Sequence, residues 1–147
     1  MSVHTDQGLS TALRGTELFR ELSDKEIKTV ARQMQVITHE AGEVITTEGR
    51  AGVGFHLVLS GTAVVDREDR EPVRVHPGDY FGEISLLDGG PRTATVRAET
   101  DLETAVLAPW DFAPVLLEHP AMAVALLRGL CARLRATESV PQPRASD

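Results

Sequence analysis

An acid and a base lie on either side of a short apolar run in the segment FGEISLLDGGPRTATVRA, residues 81–98. Glu83 directly follows a glycine, and Arg92 comes nine residues later, beyond a Gly-Gly-Pro turn. A guanidinium can bind phosphate through two parallel hydrogen bonds. A carboxylate repels phosphate but accepts a hydrogen bond from a sugar hydroxyl. The pair therefore indicates either the two ends of a site for a ligand with a phosphate and a nearby hydroxyl, or an ordinary surface ion pair.

The backbone between these two side chains favours the ligand site. Gly82 permits a ligand to approach the main chain closely. Residues 85–88 are long enough for only about one helical turn. The N-terminus of such a turn presents unpaired N–H groups, which suit an anion. A surface ion pair would need no such approach, so the glycines argue against that alternative.

The periodicity of the apolar residues changes twice along the chain. Residues 13–34 have helical spacing, with Ser23 as an N-cap followed by acids. From residue 35 the period becomes two, and glycine-containing turns separate the segments. Helical spacing returns at 110–118 and 120–137, and a proline opens the second of these helices. Strands are predicted near residues 36–38, 44–46, 55–59, 62–64, 73–75, 93–98 and 102–107.

This order of elements predicts an α+β, mainly β fold: an antiparallel β jelly-roll barrel (double-stranded β-helix) with N-terminal helices and C-terminal helices. The 147 residues suit one domain with a core of its own. We place that domain at residues 13–138. A frayed N-terminus is expected at 1–12, and a polar, proline-rich disordered tail at 139–147.

Composition excludes several classes of protein. The formal net charge of −7 argues against DNA binding through phosphates, which needs clustered Lys and Arg. Cys131 is the one cysteine, so an internal disulfide is excluded and a reduced, packed thiol is expected. The sequence shows neither a signal-peptide pattern nor an apolar run of about 18 residues, so we expect a cytoplasmic protein.

No arrangement typical of catalysis stands out. The sequence lacks a spacing typical of Ser-His-Asp or Cys-His nucleophilic sites, so we expect no catalytic residues and no enzyme activity. A β-barrel could instead be a metal-binding cupin enzyme, whose sites resemble H-x-H followed by Glu and a distant His. The five histidines include no H-x-H pair. We therefore expect no metal ligands and no cofactor.

Residues 81–96, FGEISLLDGGPRTATV, resemble the phosphate-binding cassette of cyclic nucleotide-binding domains. The pattern of that cassette is F-G-E-[LI]-x-L-[LI], a short gap and P-R-x-A-T-V. Upstream, AGEVITTEG and FHLVLSGTAVV resemble the strand–glycine–strand framework of the family, and HPGDYFGE resembles its turn into the cassette. The resemblance covers roughly residues 18–137, which is most of the chain.

The resemblance implies a role for each matching residue. Glu83 holds the ribose 2′-hydroxyl, and Arg92 pairs with the cyclic phosphate, which approaches the backbone at Gly82. The remaining implied contacts are backbone N–H groups of Ile84, Ser85 and Thr93 or Ala94 around the phosphate, and the side chains of Val73 and Val75 beside the base. The implied ligand is cAMP or cGMP.

The last helix, HPAMAVALLRGLCARLRAT, resembles the C-terminal helix of the catabolite activator branch of this family. When the two helices are matched in this way, Arg133 corresponds to an arginine that contacts the cassette glutamate. Thr137 corresponds to a threonine that contacts the adenine. The leucines at 127, 130 and 134 lie on one helical face. They predict core packing, a lid over the barrel or a seam between two copies, and the bacterial branch implies a homodimer through this helix.

The resemblance leaves the nucleotide and the output open. Thr93 follows the arginine at a position where cAMP-binding kinase domains usually have Ala. A hydroxyl at this position can contact a guanine amino group, which would favour cGMP. Bacterial cAMP receptors also have Ser or Thr at this position. We favour cAMP, with cGMP as the alternative. The chain has no room for the helix-turn-helix of the bacterial branch, so we expect a sensor without its own output domain, acting on an unknown effector protein. The other interpretations are a degenerate, nucleotide-free barrel acting as a protein-interaction scaffold and the metal cupin enzyme.

Overall fold

The structure is a computed structural model that describes residues 4–46, 54–68, 70–88 and 94–137. Helices flank a central β-region on both sides along the chain. The elements are α1 (Asp6–Arg14), a 3-10 turn (Glu17–Phe19), α2 (Asp24–Gln33), β1 (Gln35–His39), β2 (Val44–Thr46), β3 (Phe55–Ser60), β4 (Ala63–Asp66), β5 (Val73–Val75), β6 (Tyr80–Phe81), α3 (Glu83–Asp88), β7 (Thr95–Ala98), β8 (Leu102–Leu107), α4 (Pro109–Glu118) and α5 (Pro120–Thr137).

The described strands form two antiparallel sheets of four strands each. The first sheet has the order β1-β8-β3-β6, and the second has the order β2-β7-β4-β5. Each sheet therefore draws strands from both halves of the β-region. The α+β fold with antiparallel sheets between N-terminal and C-terminal helices agrees with the sequence prediction.

Two apolar clusters hold these layers together. The larger lies between the helices and the first sheet, where Phe19, Phe55 and Phe112 are almost fully buried. The smaller lies between the two sheets and includes Val58 and Phe81. Alternation along β3 explains the arrangement, because Leu57 belongs to the first cluster and Val58 to the second.

The frayed N-terminus expected at 1–12 is wrong for the part that α1 occupies, because this helix already begins at Asp6. The side chain of Thr5 caps it by accepting a hydrogen bond from the Gly8 N–H at 2.9 Å. Leu9 and Leu13 lie one helical turn apart and are both buried in the core. Because the residues around Leu9 are mostly polar, the sequence pattern did not predict that this apolar pair is buried.

The helical region expected over 13–34 is interrupted. It divides at the 3-10 turn, and α2 starts after Ser23, whose side chain and that of Glu26 form the reciprocal bonds of a capping box. Two further elements differ near the cassette: Tyr80–Phe81 is a short strand where a turn was expected, and α3 begins at Glu83 rather than at residue 85.

Several other expectations can be compared with the described residues. The tail predicted at 139–147 lies outside them. Cys131 is exposed on α5, so the packed thiol is wrong. No single described helix is both long and apolar enough to cross a membrane; α4 and α5 pass that test only as a pair, across a bend of 108°.

Candidate functional site

A cavity of about 1060 Å³ lies between the second sheet, the start of the cassette and α5. This volume is slightly above the usual range for small-molecule pockets, about 300–1,000 Å³. The sequence-predicted residues that line it are Val73, Val75, Gly82, Glu83, Ile84, Ala94 and Arg133. The fold therefore brings seven predicted site residues, from four separate segments, to one concave surface.

Glu83 is positioned by a sharp change of backbone direction. Gly82 has a φ of 100°, in the left-handed region that favours glycine, and it connects β6 to α3. Glu83 is then the first residue of α3, and only 1% of its surface is exposed. A buried carboxylate requires partners, because burial of an unpaired charge is strongly unfavourable. The site therefore holds a fixed hydrogen-bond acceptor.

Arg133 on α5 is one such partner. Its Nη2 donates to Oε2 of Glu83, in an ion pair whose arginine side chain is 45% exposed and whose glutamate side chain is 2% exposed. The Arg133 guanidinium also lies 5.9 Å from the centre of the Tyr80 ring, within cation–π range. Both contacts attach α5 to the chain just before and at the start of the cassette.

The surroundings of Arg133 and Tyr80 alter their protonation equilibria in opposite directions. Burial lowers the pKa of Arg133; the Tyr80 phenol opposes this, and the positive charge of Arg67 adds to it. Burial raises the pKa of Tyr80, which Arg133 opposes and Asp79 reinforces. The raised pKa keeps the Tyr80 phenol neutral at neutral pH, beside the Arg133 guanidinium.

Arginine side chains make the cavity less acidic than the whole protein. Among the described residues that line it, six are arginines and five are carboxylates, whereas the chain has a net charge of −7. A concave surface with locally positive charge raises the local concentration of anions. The lining arginines are Arg20, Arg67, Arg70, Arg74, Arg128 and Arg133.

Another part of the cavity wall is formed by strands. Val75 is buried and Val73 is 54% exposed, and their separation by one residue directs both to the same face of β5. On the neighbouring part of the wall, the Thr46 hydroxyl donates to the carbonyl of Ala94 at 3.3 Å. This bond fixes the chain where it enters β7. An apolar wall of this kind suits the flat face of a base.

The remaining predicted site residues cannot be compared with the geometry. Arg92 and Thr93 lie outside the described residues, as do the side chains of Ser85 and Thr137. Their assigned roles stay predictions from the resemblance. Of the three leucines on α5, Leu130 and Leu134 line the cavity. Leu127 and Leu134 are 60% and 58% exposed. Core packing is therefore wrong for those two.

The residues of the cavity wall that sequence reasoning missed include Arg67, Tyr80 and Gly129. A signal existed for two of them. Tyr80 directly precedes the cassette, and Gly129 interrupts an otherwise apolar helical pattern, which suggests a packing reason. Nothing in the sequence indicated that Arg67 lies in the cavity wall, because its position depends on the β4–β5 connection.

The metal-binding cupin interpretation gains no support from the described residues. Among residues 4–46, 54–68, 70–88 and 94–137, no group of three or more His, Cys, Asp and Glu side chains is arranged to hold a metal ion. His56, one of the histidines considered, stacks on Phe81 with ring centres 4.8 Å apart. It packs beside the cassette as an aromatic side chain would.

The chain belongs to the cyclic nucleotide-binding domain family, whose sequence profile matches residues 36–119. This match extends from β1 to the end of α4 and includes the whole cassette. The fold and the cavity described above are thus those of a family member. The chain carries the alternating strands, the Gly-Glu pair and the C-terminal helix in the order that the resemblance implied.

Two kinds of regulatory protein are among the curated relatives. A cAMP-dependent protein kinase regulatory subunit from Emericella nidulans is 40% identical over 106 residues, covering 71% of this chain and 26% of the relative. A CRP-like cAMP-activated global transcriptional regulator from Mycobacterium tuberculosis is 27% identical over 127 residues, covering 83% of this chain and 57% of the relative. The chain therefore spans about a quarter of the first relative and just over half of the second.

Solved structures share the fold. The Thermus thermophilus catabolite activator protein superposes with a TM-score of 0.76 at 30% identity, over 84% of this chain and 60% of that one. A cAMP-bound structure titled PfPKA-R (141-441) gives a TM-score of 0.79 at 24% identity, over 93% of this chain and 48% of that one. The second likeness is evidence for the fold alone.

Proposed function

We propose that this protein binds a cyclic nucleotide, with cAMP preferred over cGMP, and acts as a sensor that regulates a partner protein. The observation that carries the proposal is the buried Glu83 carboxylate, held at the start of α3 behind Gly82 and facing a cavity of about 1060 Å³. The relatives described above are named as cAMP-dependent or cAMP-activated regulators, which supports the choice of nucleotide and a regulatory rather than catalytic role.

The proposed ligand is held at both ends. A carboxylate has two oxygens, so Glu83 can keep Arg133 on one and accept the ribose 2′-hydroxyl on the other. Arg92 pairs with the cyclic phosphate through charge-assisted bonds. Backbone N–H groups of Ile84, Ser85 and Ala94 or Thr93 complete the phosphate cradle, while Val73 and Val75 contact the base. Thr137 closes over the adenine.

The proposed response is a movement of α5. Leu86 on α3 is half-buried and packs against the cluster that also contains residues of α4 and α5. When the phosphate tightens the cassette, Leu86 and its exposed neighbour Leu87 repack, and α5 closes over the base as a lid. A ligand shifts this equilibrium only by its preference for the closed state. The closed helix then changes a contact with the effector protein.

We also propose that two copies associate through α5. Val124, Leu127 and Leu134 are all exposed, and together with exposed Cys131 they have the 3-4-3 spacing of a coiled-coil seam. Removal of an exposed apolar row of this kind from water is favourable. A symmetric dimer would bury it and connect the two lids.

The sheet topology supports a further structural proposal. We infer that the two sheets form the jelly-roll β-barrel (double-stranded β-helix) expected from the sequence. The eight strands of the described residues, in the orders β1-β8-β3-β6 and β2-β7-β4-β5, match the double-sheet arrangement of such folds.

Substitution of Arg92 tests the proposed function. Arg92→Ala should weaken cAMP binding at least about tenfold, because charge-assisted bonds contribute about 1.5–3 kcal/mol. Arg97→Ala is the matched control, since Arg97 is an exposed arginine on β7. Fluorescence titration with labelled cAMP gives both affinities. Equal affinity in the two variants would refute the phosphate role of Arg92, and nucleotide binding absent from the wild type would favour the protein-interaction scaffold.

A further inference from the structure

Gly129 and Tyr80 meet at a contact that leaves no room for a side chain at position 129. A Cβ added to Gly129 would overlap the hydroxyl oxygen of Tyr80, and it would lie 3.4 Å from Cζ of the same ring. The overlap is therefore with the hydroxyl, while the ring itself is at ordinary contact distance. The absence of a side chain allows α5 to lie directly against the end of this tyrosine.

Packing on its other sides restricts the movement of Tyr80. The Phe55 ring lies 5.5 Å away between ring centres, in the core. The Arg133 guanidinium covers the ring at 5.9 Å. The backbone of Tyr80 is paired with Leu57 in the first sheet. A clash at position 129 would therefore displace α5 or the strand that leads into the cassette.

This contact and the ion pair of the site join α5 to two successive elements, β6 and α3. Tyr80 is three residues before Glu83, and Gly129 is one helical turn before Arg133. The distance of α5 from β6 at Gly129 consequently sets whether Arg133 reaches the Glu83 carboxylate. One contact is steric and the other is ionic, and they lie side by side on one face of the helix.

We propose that Gly129 is the positioning residue that seats α5 over the cavity, by allowing the Tyr80 hydroxyl to occupy the space of a side chain. This inference rests on the proposed cyclic nucleotide site, because it assigns the closed position of the lid to one steric contact. The residue acts through Tyr80 and Arg133 and needs no contact with the ligand.

Helix propensity makes the opposite prediction. Glycine is a poor helix former and alanine is the best, so Gly129→Ala would strengthen α5 if the helix were limited only by its own stability. Under the proposal the same substitution loosens α5, because the added methyl group overpacks the contact with Tyr80. The sign of the effect therefore distinguishes positioning from propensity.

The test compares Gly129→Ala, Tyr80→Phe and the double variant with the wild-type protein. Gly15→Ala is the matched control, since Gly15 has an ordinary φ of −79° and an added Cβ would lie 3.7 Å from the nearest atom, the Ala12 carbonyl oxygen. Two quantities are measured: hydrogen exchange of the α5 amides in nucleotide-free protein, and the rate at which bound cAMP dissociates. The first does not depend on the ligand.

Gly129→Ala should raise both the exchange rate of α5 and the cAMP dissociation rate by about tenfold, the effect of an overpacked contact. Tyr80→Phe removes the overlapping hydroxyl, so the double variant should return to within about twofold of Tyr80→Phe alone if the two sites are coupled as proposed. Gly15→Ala should match the wild type. Unchanged or slower exchange in Gly129→Ala, or no reversal by Tyr80→Phe, overturns the proposal.

Two further outcomes also decide whether Gly129 positions α5 as proposed. If Gly129→Ala does not fold, a folded double variant supports the steric contact, whereas an unfolded double variant contradicts it. If the wild type binds no cAMP, the proposed function fails, and the exchange rates alone decide whether Gly129 seats α5 against Tyr80.

Discussion

Arg133 of α5 is ion-paired with Glu83 of α3, fifty residues earlier in the chain. The pair crosses from the C-terminal helix to the first residue of the cassette helix, and Glu83 is almost fully buried beneath it. A polar contact over this sequence distance couples the position of the helix to the site. A ligand that binds the other oxygen of this carboxylate would share it with α5.

Loss of the Arg133 side chain should destabilise the fold. Arg133→Gln removes a charged donor from a buried carboxylate, so the free energy of unfolding should fall by about 1–3 kcal/mol. Arg128→Gln on the same helix is the control, because Arg128 pairs with Glu21 where both side chains are more than half exposed, and such pairs contribute about 1 kcal/mol or less. Urea denaturation measures both. Equal losses would mean that Glu83 is not held by Arg133.

Glu83 should determine recognition of the ribose. Glu83→Gln keeps the size of the side chain but removes its charge, so cAMP affinity should fall by about tenfold, as for a charge-assisted hydrogen bond. The wild type should discriminate against 2′-deoxy-cAMP, and the variant should discriminate less. Competition titrations with the two nucleotides measure this, with exposed Glu118→Gln as the control. A wild type that binds both nucleotides equally well would exclude the ribose role.

Stability should decrease in acid through Glu26. His119 hydrogen-bonds Glu26 at 3.0 Å and, with the backbone N–H of Ser23, lowers the pKa of this carboxyl below its usual 4.5. A lowered pKa contributes stability above the unfolded-state value, and that stability is lost as the pH falls through the folded-state value. Glu26→Gln should therefore flatten the decline of the urea midpoint below pH 4.5. The same slope in wild type and variant would exclude this contribution.

Association through α5 should depend on Leu127. Leu127→Glu places a charge in the proposed seam, so a dimer seen by light scattering should become monomeric. Leu117→Glu, at an exposed position of α4, should leave the dimer unchanged. In a parallel seam the two copies of Cys131 lie opposite each other, so mild oxidation should cross-link the wild type. A wild type that is monomeric at high concentration would reject the seam.

Local signals allowed much of the fold to be predicted. Period-two alternation identified most strands, and Ser23 as an N-cap followed by acids marked the start of α2. The start of α1 escaped prediction because a single pair, Leu9 and Leu13, buries an otherwise polar helix. Such burial depends on tertiary packing, which a local pattern does not report.

The residues of the candidate site could likewise be predicted only in part. The cassette motif identified Gly82 and Glu83, because the chemistry of a turn and an acceptor is local in sequence. The wall formed by Tyr80 and Gly129 depends on how a helix lies against a strand almost fifty residues away. That distance and the missing side chain at 129 become evident only when the two elements are packed.

Calorimetric titration with cAMP and cGMP, after removal of any co-purified nucleotide, tests the central claim most directly. The proposal predicts binding of cAMP at micromolar concentration or tighter, with weaker binding of cGMP. A folded sample that gives no heat with either nucleotide, and no rise in melting temperature at millimolar ligand, would contradict it.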